Sequence, residues 1–517
     1  MDLNLAALTA ALDALPKLYA GPGGVAGVVK DGKVIASRAW GYASLEDGQA
    51  MTPQTRLPIC SISKQFTCQV LLASVGDPAQ LDGKVAAFLP QFTGPLPSTR
   101  QLCDNQSGVR DYWALTVLQG GLAEQEFRRD DALPLIARMK TGHFPPGTSY
   151  SYCNCNYRIV SEMIEAATGE TLEHLYAKHI WGPAGMKSAV LTSDTRYPED
   201  GVVGYEGNDA AGYFPAENAI YWVGDAGISA SVEDMLAYEA WIDAGRDDAS
   251  HLYRQISEPP HFADGKPAAY GYGLAHHLMG GMAVTGHGGA LRGFRAHRLY
   301  AADARLSVVV MFNHEADAFG AAKGLLEAAL GVTPVKPAPV AESWEGQWLA
   351  DNGLLVRLEP ARTSVTMRYA TGPETLTLNA EGKLAAAGLT LERQGADLAM
   401  VREKENVAPK LTPLPVLNAA NGAEIAGRYA SDELEAEMVI EARDGGVYAR
   451  FEGMLGRGRM ERMAPAGKDV WILATRRSMD APPPGDWTFV VQRDAAGQIT
   501  GAQLGCWLAR GVPYRKV

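Results

Sequence analysis

The segment that organises the chain reads C-S-I-S-K at Cys60 to Lys64 and continues as QFTCQVLLASV from Gln65 to Val75. Apolar side chains recur every four residues through this segment, which predicts a helix with one apolar face. Ser61 then lies at the helix start, and Lys64 lies one turn later on the same face. A helix N-terminus favours a serine alkoxide and a developing oxyanion. The pair therefore suits a nucleophile and its base, provided that burial lowers the lysine pKa.

The S-x-x-K pair alone does not identify an enzyme, because a surface helix with a serine N-cap has the same pattern. Two later elements strengthen the catalytic interpretation: Tyr152-Cys153-Asn154 and His287-Gly288-Gly289. Taken singly, these would be a core tyrosine, a turn-forming asparagine and a loop histidine. Taken together with Ser61, they supply the groups that acyl transfer requires.

The roles of these groups follow from their chemistry, with two alternatives left open. Ser61 is the nucleophile, and either Lys64 or Tyr152 is the base, since a tyrosine beside cations can share a proton with its neighbour. Either Tyr152 or His287 passes a proton to the leaving group. Asn154 offers its amide to the substrate carbonyl.

The three elements resemble the motifs of the serine β-lactamase and penicillin-recognising family, in its branch with Y-x-N and H-x-G. Their order and spacing agree, as do the Ser107-Gly108 turn and the Pro146-Gly147 pair before the tyrosine. The resemblance covers roughly residues 1–330. It implies an oxyanion hole made by the backbone N–H groups of Ser61 and Ala290. Gly288 and Gly289 would let substrate lie along that strand edge without a Cβ clash.

The whole layout resembles the D-aminopeptidases of this family, which implies release of N-terminal D-residues, a small side chain such as alanine, and a homodimer. An aminopeptidase must hold a free ammonium, so it needs a carboxylate near the serine. The loop Thr475 to Gly485 carries Asp480 and the prolines Pro482 to Pro484. We expect this loop to reach the cleft, where Asp480, or failing that Asp225, binds the ammonium. The alternative is a solvent-exposed hairpin loop.

Composition limits the range of partners. The formal net charge is −12, which argues against nucleic acid or an anionic membrane. No stretch approaches the length that spans a bilayer, and Met1 to Leu5 lacks the basic region of a signal peptide. We therefore expect a cytoplasmic protein whose partner is a small peptide or amino-acid amide.

The six cysteines are too few for a disulfide framework in 517 residues. Cys153 and Cys155 form C-x-C, and with His143 they could be considered a zinc site. The spacing does not fit a zinc knuckle, so we expect buried thiols and neither metal nor cofactor.

The chain divides into an α+β unit and two β units. Residues 1–331 show strands, then helices, then strands and a final helix, which predicts one domain with an antiparallel sheet flanked by helices. In this domain we expect the glycines of Gly286 to Gly289 to interrupt a strand. A Pro-rich linker follows at residues 332–342.

Short alternating runs then recur about every ten residues, which is typical of small antiparallel barrels. We predict barrels at 343–416 and 417–517, separated by a break at Pro409 to Pro415. Each opens similarly, with Glu345-Gly-Gln-Trp348 in one and Ala426-Gly-Arg-Tyr429 in the other, which suggests a duplication.

The sequence thus predicts a serine hydrolase that releases N-terminal D-amino acids from short peptides, amides and esters through an acyl-enzyme on Ser61. The first alternative is a D,D-carboxypeptidase or esterase of the same family. Many relatives carry a lysine where this chain has His287, and a mostly neutral histidine weakens that alternative. The second alternative is a non-catalytic binding protein, which the presence of Ser61, Lys64, Tyr152 and His287 disfavours.

Overall fold

The computed structural model describes residues 3–333, 336–370, 372–395, 397–417, 419–475, 478–480 and 486–517. Part of the predicted linker and the prolines Pro482 to Pro484 lie outside this set. None of the described helices is long and apolar enough to cross a membrane.

The first domain is built on an eight-stranded antiparallel sheet whose strands come from both ends of the domain, as predicted. The hairpin at its start turns at Asp31 and Gly32, which both have positive φ. In spatial order the strands are Gln49–Ala50, Lys33–Ser44, Gly23–Lys30, Leu306–Phe312, Phe294–Ala301, Met282–Leu291, Leu274–Met279 and Tyr270–Gly271.

The expectation that glycines interrupt the strand at Gly286 is wrong: one strand, Met282–Leu291, runs through the whole motif. The glycines are needed for close approach rather than for a turn. A Cβ on Gly286 would lie 2.3 Å from the carbonyl oxygen of Arg298 on the neighbouring strand. The pairing with Phe294–Ala301 is continuous along the strand.

Helices cover both faces of this sheet. Leu5–Leu18 and Ala318–Leu330 pack on one face, where leucines and alanines form a core with the sheet valines. The catalytic segment and the other helices pack on the opposite face. These helices are Ser63–Ser74, Thr99–Cys103, Tyr112–Leu118, Arg129–Ala137, Asn154–Thr168, Leu172–Tyr176, Gly182–Ala184, Val232–Ala244 and Leu252–Ile256.

The first domain also has two short sheets. The first has three strands and lies beside the segment that carries Ser61; the second is a hairpin. Their strands are Leu57–Pro58, Ile228–Ala230 and Val190–Leu191 in the first, and Tyr205–Asn208 and Gly212–Pro215 in the second.

The next unit is a closed antiparallel barrel of eight strands, as predicted. The predicted break at Pro409 to Pro415 is wrong, because Lys410–Pro413 is the strand that closes the barrel against Gly346–Ala350. The first proline precedes this strand and the second ends it, so neither removes a central hydrogen bond. The remaining strands are Leu355–Pro360, Val365–Tyr369, Glu374–Leu378, Leu384–Ala386, Leu389–Gln394 and Asp397–Arg402.

The last unit is a second eight-stranded antiparallel barrel, and a two-residue strand, Gly456–Arg457, is added at its rim. Like the first barrel, it begins with a short helical segment before a glycine that opens the first strand. Its strands are Gly427–Ser431, Ala436–Arg443, Gly446–Gly453, Glu461–Gly467, Val470–Leu473, Trp487–Arg493, Ile499–Cys506 and Ala509–Lys516. The fold class is therefore confirmed, and the residue numbers of the domain boundaries stay a prediction.

Candidate active site

Ser61 lies in a 3₁₀ turn, Cys60–Ile62, that leads directly into the helix Ser63–Ser74. The residue before it, Cys60, has φ 50°, a conformation that non-glycine residues rarely adopt. The strand that carries the H-x-G motif packs closely against this turn. A Cβ on Gly289 would lie only 2.1 Å from the Ile59 carbonyl oxygen, so only glycine fits at this contact. Backbone strain and tight packing thus fix the serine at the helix start.

Lys64 is fully buried beside the serine. Its Nζ donates to Ser61 Oγ at 3.0 Å, to Asn154 Oδ1 at 2.8 Å and to the Asp225 carbonyl oxygen at 2.7 Å. Burial lowers the pKa of Lys64 to about 8, although nearby carboxylates act in the opposite direction. A lysine that contacts the serine hydroxyl and has a pKa near neutral pH can serve as the base for that serine.

Tyr152 lies close to the Ser61–Lys64 pair, with its ring centroid 4.9 Å from Lys64 Nζ. Burial raises the pKa of Tyr152 well above its ordinary value, while a hydrogen bond with Ser61 acts to lower it. The tyrosine is therefore protonated at neutral pH. Of the two bases that the sequence allowed, the electrostatics favour Lys64, and Tyr152 is left as a proton donor.

The side-chain amide and the backbone N–H of Asn154 form hydrogen bonds with other residues of the protein. Its Oδ1 accepts from Lys64, its Nδ2 donates to Asp111 Oδ2 at 3.0 Å, and its backbone N–H donates to the same carboxylate oxygen. These contacts orient the lysine. Sequence reasoning missed Asp111 as a site residue, although it ends the segment that begins at the Ser107-Gly108 turn.

His287 is buried at the edge of the cleft. Its Nδ1 is 2.5 Å from the Gly288 carbonyl oxygen and its Nε2 is 2.9 Å from the Tyr270 hydroxyl. Burial, with Lys64 contributing, lowers the pKa of His287 to about 3. The ring is therefore neutral: Nδ1 donates to the carbonyl, and Nε2 accepts from the tyrosine.

The edge beyond His287 is open to a ligand. Among the described strands, Leu274–Met279 pairs with the third-motif strand only as far as Gly286, and beyond that residue only Phe294–Ala301 pairs with it. Gly288, Gly289 and Ala290 line the cleft along this edge. An extended substrate can lie there as an added strand.

The second barrel supplies part of the cleft. Asp480 lines the same cavity as Ser61, and its carbonyl oxygen accepts from the backbone N–H of Arg292 in the first domain. Its carboxylate accepts from Ser478 Oγ at 2.7 Å. Burial first, and then the charge of Asp111, raises the pKa of Asp480 to about 7. The structure thus places Asp480 in the same cleft as Ser61.

Asp225, the alternative carboxylate, lies behind Lys64. It is fully buried, with Oδ1 accepting from the Val223 backbone N–H at 2.9 Å and Oδ2 accepting from the Tyr112 hydroxyl at 2.8 Å. It does not line the cleft. Its carbonyl oxygen, rather than its carboxylate, contacts Lys64 Nζ.

The cleft has a volume of about 560 Å³. Several lining residues were not selected from the sequence. Ser478 lies in the loop that carries Asp480, and the others belong to segments without a motif and reach the site only through folding. These lining residues are Trp113, Ala114, Arg295, Ala296, His297, Glu315, Ala316, Asp317, Ala318, Phe319, Ser478 and Leu508.

The C-x-C thiols belong to the hydrophobic core of the first domain. Cys153 Sγ and Cys155 Sγ are 3.0 Å apart, both residues are fully buried, and the second thiol donates to the Arg110 carbonyl oxygen. Burial is the cause of the raised pKa of Cys155. Among the described residues, no three His, Cys, Asp or Glu side chains form a group suited to a metal ion.

Comparison with known proteins follows the division of the fold. The β-lactamase family model matches residues 8–332, and the model described as D-aminopeptidase, domain B, matches residues 337–515. Among solved structures, the octameric penicillin-binding protein homologue from Pyrococcus abyssi is similar, with a TM-score of 0.55 and 19% identity. That similarity covers 87% of this chain and 99% of the other, and it supports the fold.

Curated relatives match over the entire length. The D-aminopeptidase of Cereibacter sphaeroides (strain KD131 / KCTC 12085) is 64% identical over 518 residues, which is 100% of each chain. The D-aminopeptidase of Brucella canis (strain ATCC 23365 / NCTC 10854 / RM-666) is 48% identical over 520 residues, again 100% of each chain. The chain belongs to the D-aminopeptidase family, whose first domain has the β-lactamase fold.

Proposed function

We propose that the chain hydrolyses short peptides, amides and esters with a free N-terminal D-amino acid, releasing that residue through an acyl-enzyme on Ser61. One observation carries the proposal: Ser61, which Lys64 contacts from the buried side, and Asp480 line a single cleft. The nucleophile and an ammonium-binding group are thus available to one small substrate. The full-length relatives named D-aminopeptidase support the same activity.

Acylation begins with proton transfer from Ser61 Oγ to neutral Lys64 Nζ, which are 3.0 Å apart. The oxygen attacks the substrate carbonyl carbon, and the carbonyl π electrons move to oxygen to give a tetrahedral oxyanion. We assign its stabilisation to the backbone N–H groups of Ser61 and Ala290, as the family resemblance implies. The lysine holds the proton that the leaving group will need.

Collapse of the intermediate breaks the bond to the leaving nitrogen or oxygen, which takes up a proton. Tyr152 is our donor, because it is protonated and contacts the serine, and Lys64 then returns a proton to it. Water attacks the ester in the reverse sequence and frees the D-amino acid. His287 has both ring nitrogens engaged, so we give it a positioning role at the strand edge.

The substrate ammonium pairs with Asp480 in this proposal. An ammonium next to the carboxylate favours its ionised form, which offsets the burial that raises its pKa. Asp225 is a poorer choice, because both of its carboxylate oxygens already accept hydrogen bonds and it lies outside the cleft lining. We expect no metal or cofactor to take part.

The same features disfavour the D,D-carboxypeptidase or esterase alternative. A peptide C-terminal carboxylate would meet neutral His287 instead of a fixed positive charge. At the other end, Asp480 would be left without a cation when the substrate amine is acylated. A non-catalytic role is disfavoured by the lysine in contact with the serine.

We further propose a homodimer in the cytoplasm. The dimer rests on the family resemblance, and light scattering after size-exclusion chromatography tests it. The location is supported by the six free, buried cysteines, which suit a reducing compartment. Cell fractionation followed by immunoblotting tests the location.

The deciding experiment compares D-alanine p-nitroanilide with its L-enantiomer and with N-acetyl-D-alanine p-nitroanilide. Rapid release of p-nitroaniline from the free D form alone supports a D-aminopeptidase. Preference for the acetylated form would favour the carboxypeptidase or esterase alternative. A Ser61→Ala variant is the control for background hydrolysis.

A further inference from the structure

The second barrel contacts the first domain immediately beside the catalytic lysine. The Asp111 backbone N–H donates to the Leu508 carbonyl oxygen at 3.0 Å, in the turn between strands Ile499–Cys506 and Ala509–Lys516. The preceding Arg110 is buried and pairs with Glu433 at 3.1 Å. A barrel turn and a buried ion pair therefore fix the position of this short segment.

The carboxylate of Asp111 continues the connection inward. Its Oδ1 accepts from the N–H groups of Trp113 and Ala114 and caps the helix Tyr112–Leu118. Its Oδ2 accepts both donors of Asn154. The side chain is fully buried, so water does not compete for these hydrogen bonds.

The connection ends at the nucleophile. With Nδ2 held by Asp111, the amide of Asn154 presents Oδ1 to Lys64 Nζ at 2.8 Å, and the lysine reaches Ser61 Oγ at 3.0 Å. A continuous set of hydrogen bonds thus runs from the barrel turn to the serine. Rotating the asparagine amide would replace the acceptor with a donor and repel the lysine.

We infer that Asp111 is a positioning residue for Lys64, and that through it the docked second barrel contributes to the orientation of the base. Asp111 fixes the asparagine amide, and its negative charge also stabilises the charged form of the lysine. The role requires that Ser61 be the nucleophile and Lys64 its base, and in that respect it rests on the proposed function. It adds a residue that the three motifs do not contain.

The charge environment of the lysine makes the inference testable through pH. Burial raises the pKa of Asp111 to about 6, so its carboxylate is ionised above that pH. Removing this charge should lower the Lys64 pKa. The other titratable or charged groups that face or influence the lysine are Asp225, Asp480, Cys60, Tyr152, Tyr157 and His287.

The test uses Asp111→Asn and Asp111→Ser in the full chain. Both residues are good helix N-caps, but asparagine places a donor against Asn154 and serine is too short to reach it. The control is Asp77→Asn, which alters an exposed N-cap away from the cleft. Circular dichroism establishes that each variant is folded.

The readouts are kcat for D-alanine p-nitroanilide and the rate of Ser61 labelling by a fluorophosphonate, each measured against pH. We expect both rates to fall by roughly 100-fold and the acid limb to move down by roughly one pH unit. The control should match the unmodified chain. A wild-type rate and limb, or a lower rate with an unchanged limb, would overturn the inference.

Failure of the proposed function gives a different result. The unmodified chain would then label rapidly at Ser61 without releasing p-nitroaniline from the D-alanine substrate. In that case the labelling profile alone decides the role of Asp111, because labelling requires the serine and its base and does not require a D-amino acid.

Discussion

The sharpest consequence of the cleft geometry concerns Asp480. Asp480→Asn keeps the shape and the oxygen that accepts from Ser478 Oγ, but it removes the charge proposed to bind the substrate ammonium. Ser61 and Asp480 line the same cleft, so the substitution should lower kcat/KM only for substrates that carry an ammonium. N-Acetyl-D-alanine p-nitroanilide provides the matched substrate without that charge.

The size of the effect follows from the contact that is lost. A hydrogen bond to a charged group contributes about 1.5–3 kcal/mol, and truncating one partner of a buried charge pair costs about 2–5 kcal/mol. A value of about 2.7 kcal/mol corresponds to about 100-fold in kcat/KM, at about 1.36 kcal/mol per tenfold change. The acetylated substrate should change by less than about threefold.

The pH dependence has a defined sign. Burial raises the pKa of Asp480 to about 7, so ammonium binding by the unmodified chain should strengthen as pH rises through that value. The Lys64 pKa of about 8 adds a second rise, since the neutral amine is the base. In Asp480→Asn the lower of these two rises should disappear, while the lysine limb remains.

The assay is initial-rate release of p-nitroaniline from the free and acetylated D substrates between about pH 5.5 and about pH 9, a range that includes both pKa values. Asp486→Asn is the control, because this aspartate directly follows the same loop, precedes strand Trp487–Arg493 and is not among the residues that line the cleft. Equal losses on both substrates, or no loss on the free one, would refute the ammonium site at Asp480.

Three further predictions test the base, the strand edge and the barrel contact. Lys64→Met should lower kcat by about 10²–10⁴-fold, as loss of a general base does, with the fold retained by circular dichroism. Gly289→Ala places a Cβ 2.1 Å from the Ile59 carbonyl oxygen and should displace the turn that carries Ser61, which lowers kcat/KM by at least roughly tenfold. Gly324→Ala is the control, because its Cβ would have no close neighbour and kcat/KM should not change. Glu433→Gln leaves a buried arginine without its charge partner and should lower the free energy of unfolding by about 3–5 kcal/mol in urea denaturation; a smaller change than about 1 kcal/mol would contradict this.

Local sequence rules anticipated the elements whose residues interact with near neighbours. The helix Ser63–Ser74 is an example, because its apolar face depends on residues only a few positions apart. The same rules misread the glycines at Gly286 and the strand Lys410–Pro413, because local propensity carries no information about the neighbouring strand. A glycine beside a close backbone and a proline at the end of a strand are compatible with a sheet.

The sequence by itself predicted Ser61, Lys64, Tyr152 and His287 as one catalytic set, because S-x-x-K, Y-x-N and H-x-G keep their order and spacing along the chain. Periodicity and turn residues were also sufficient for the α+β domain and the two barrels.

Only the tertiary structure decided how these groups work. The low pKa of Lys64 and the high pKa of Tyr152 arise from burial, and the meeting of Asp480 with Ser61 requires a barrel about 420 residues away in sequence to dock on the first domain. Desolvation and contacts across such distances depend on three-dimensional packing, which no local pattern encodes.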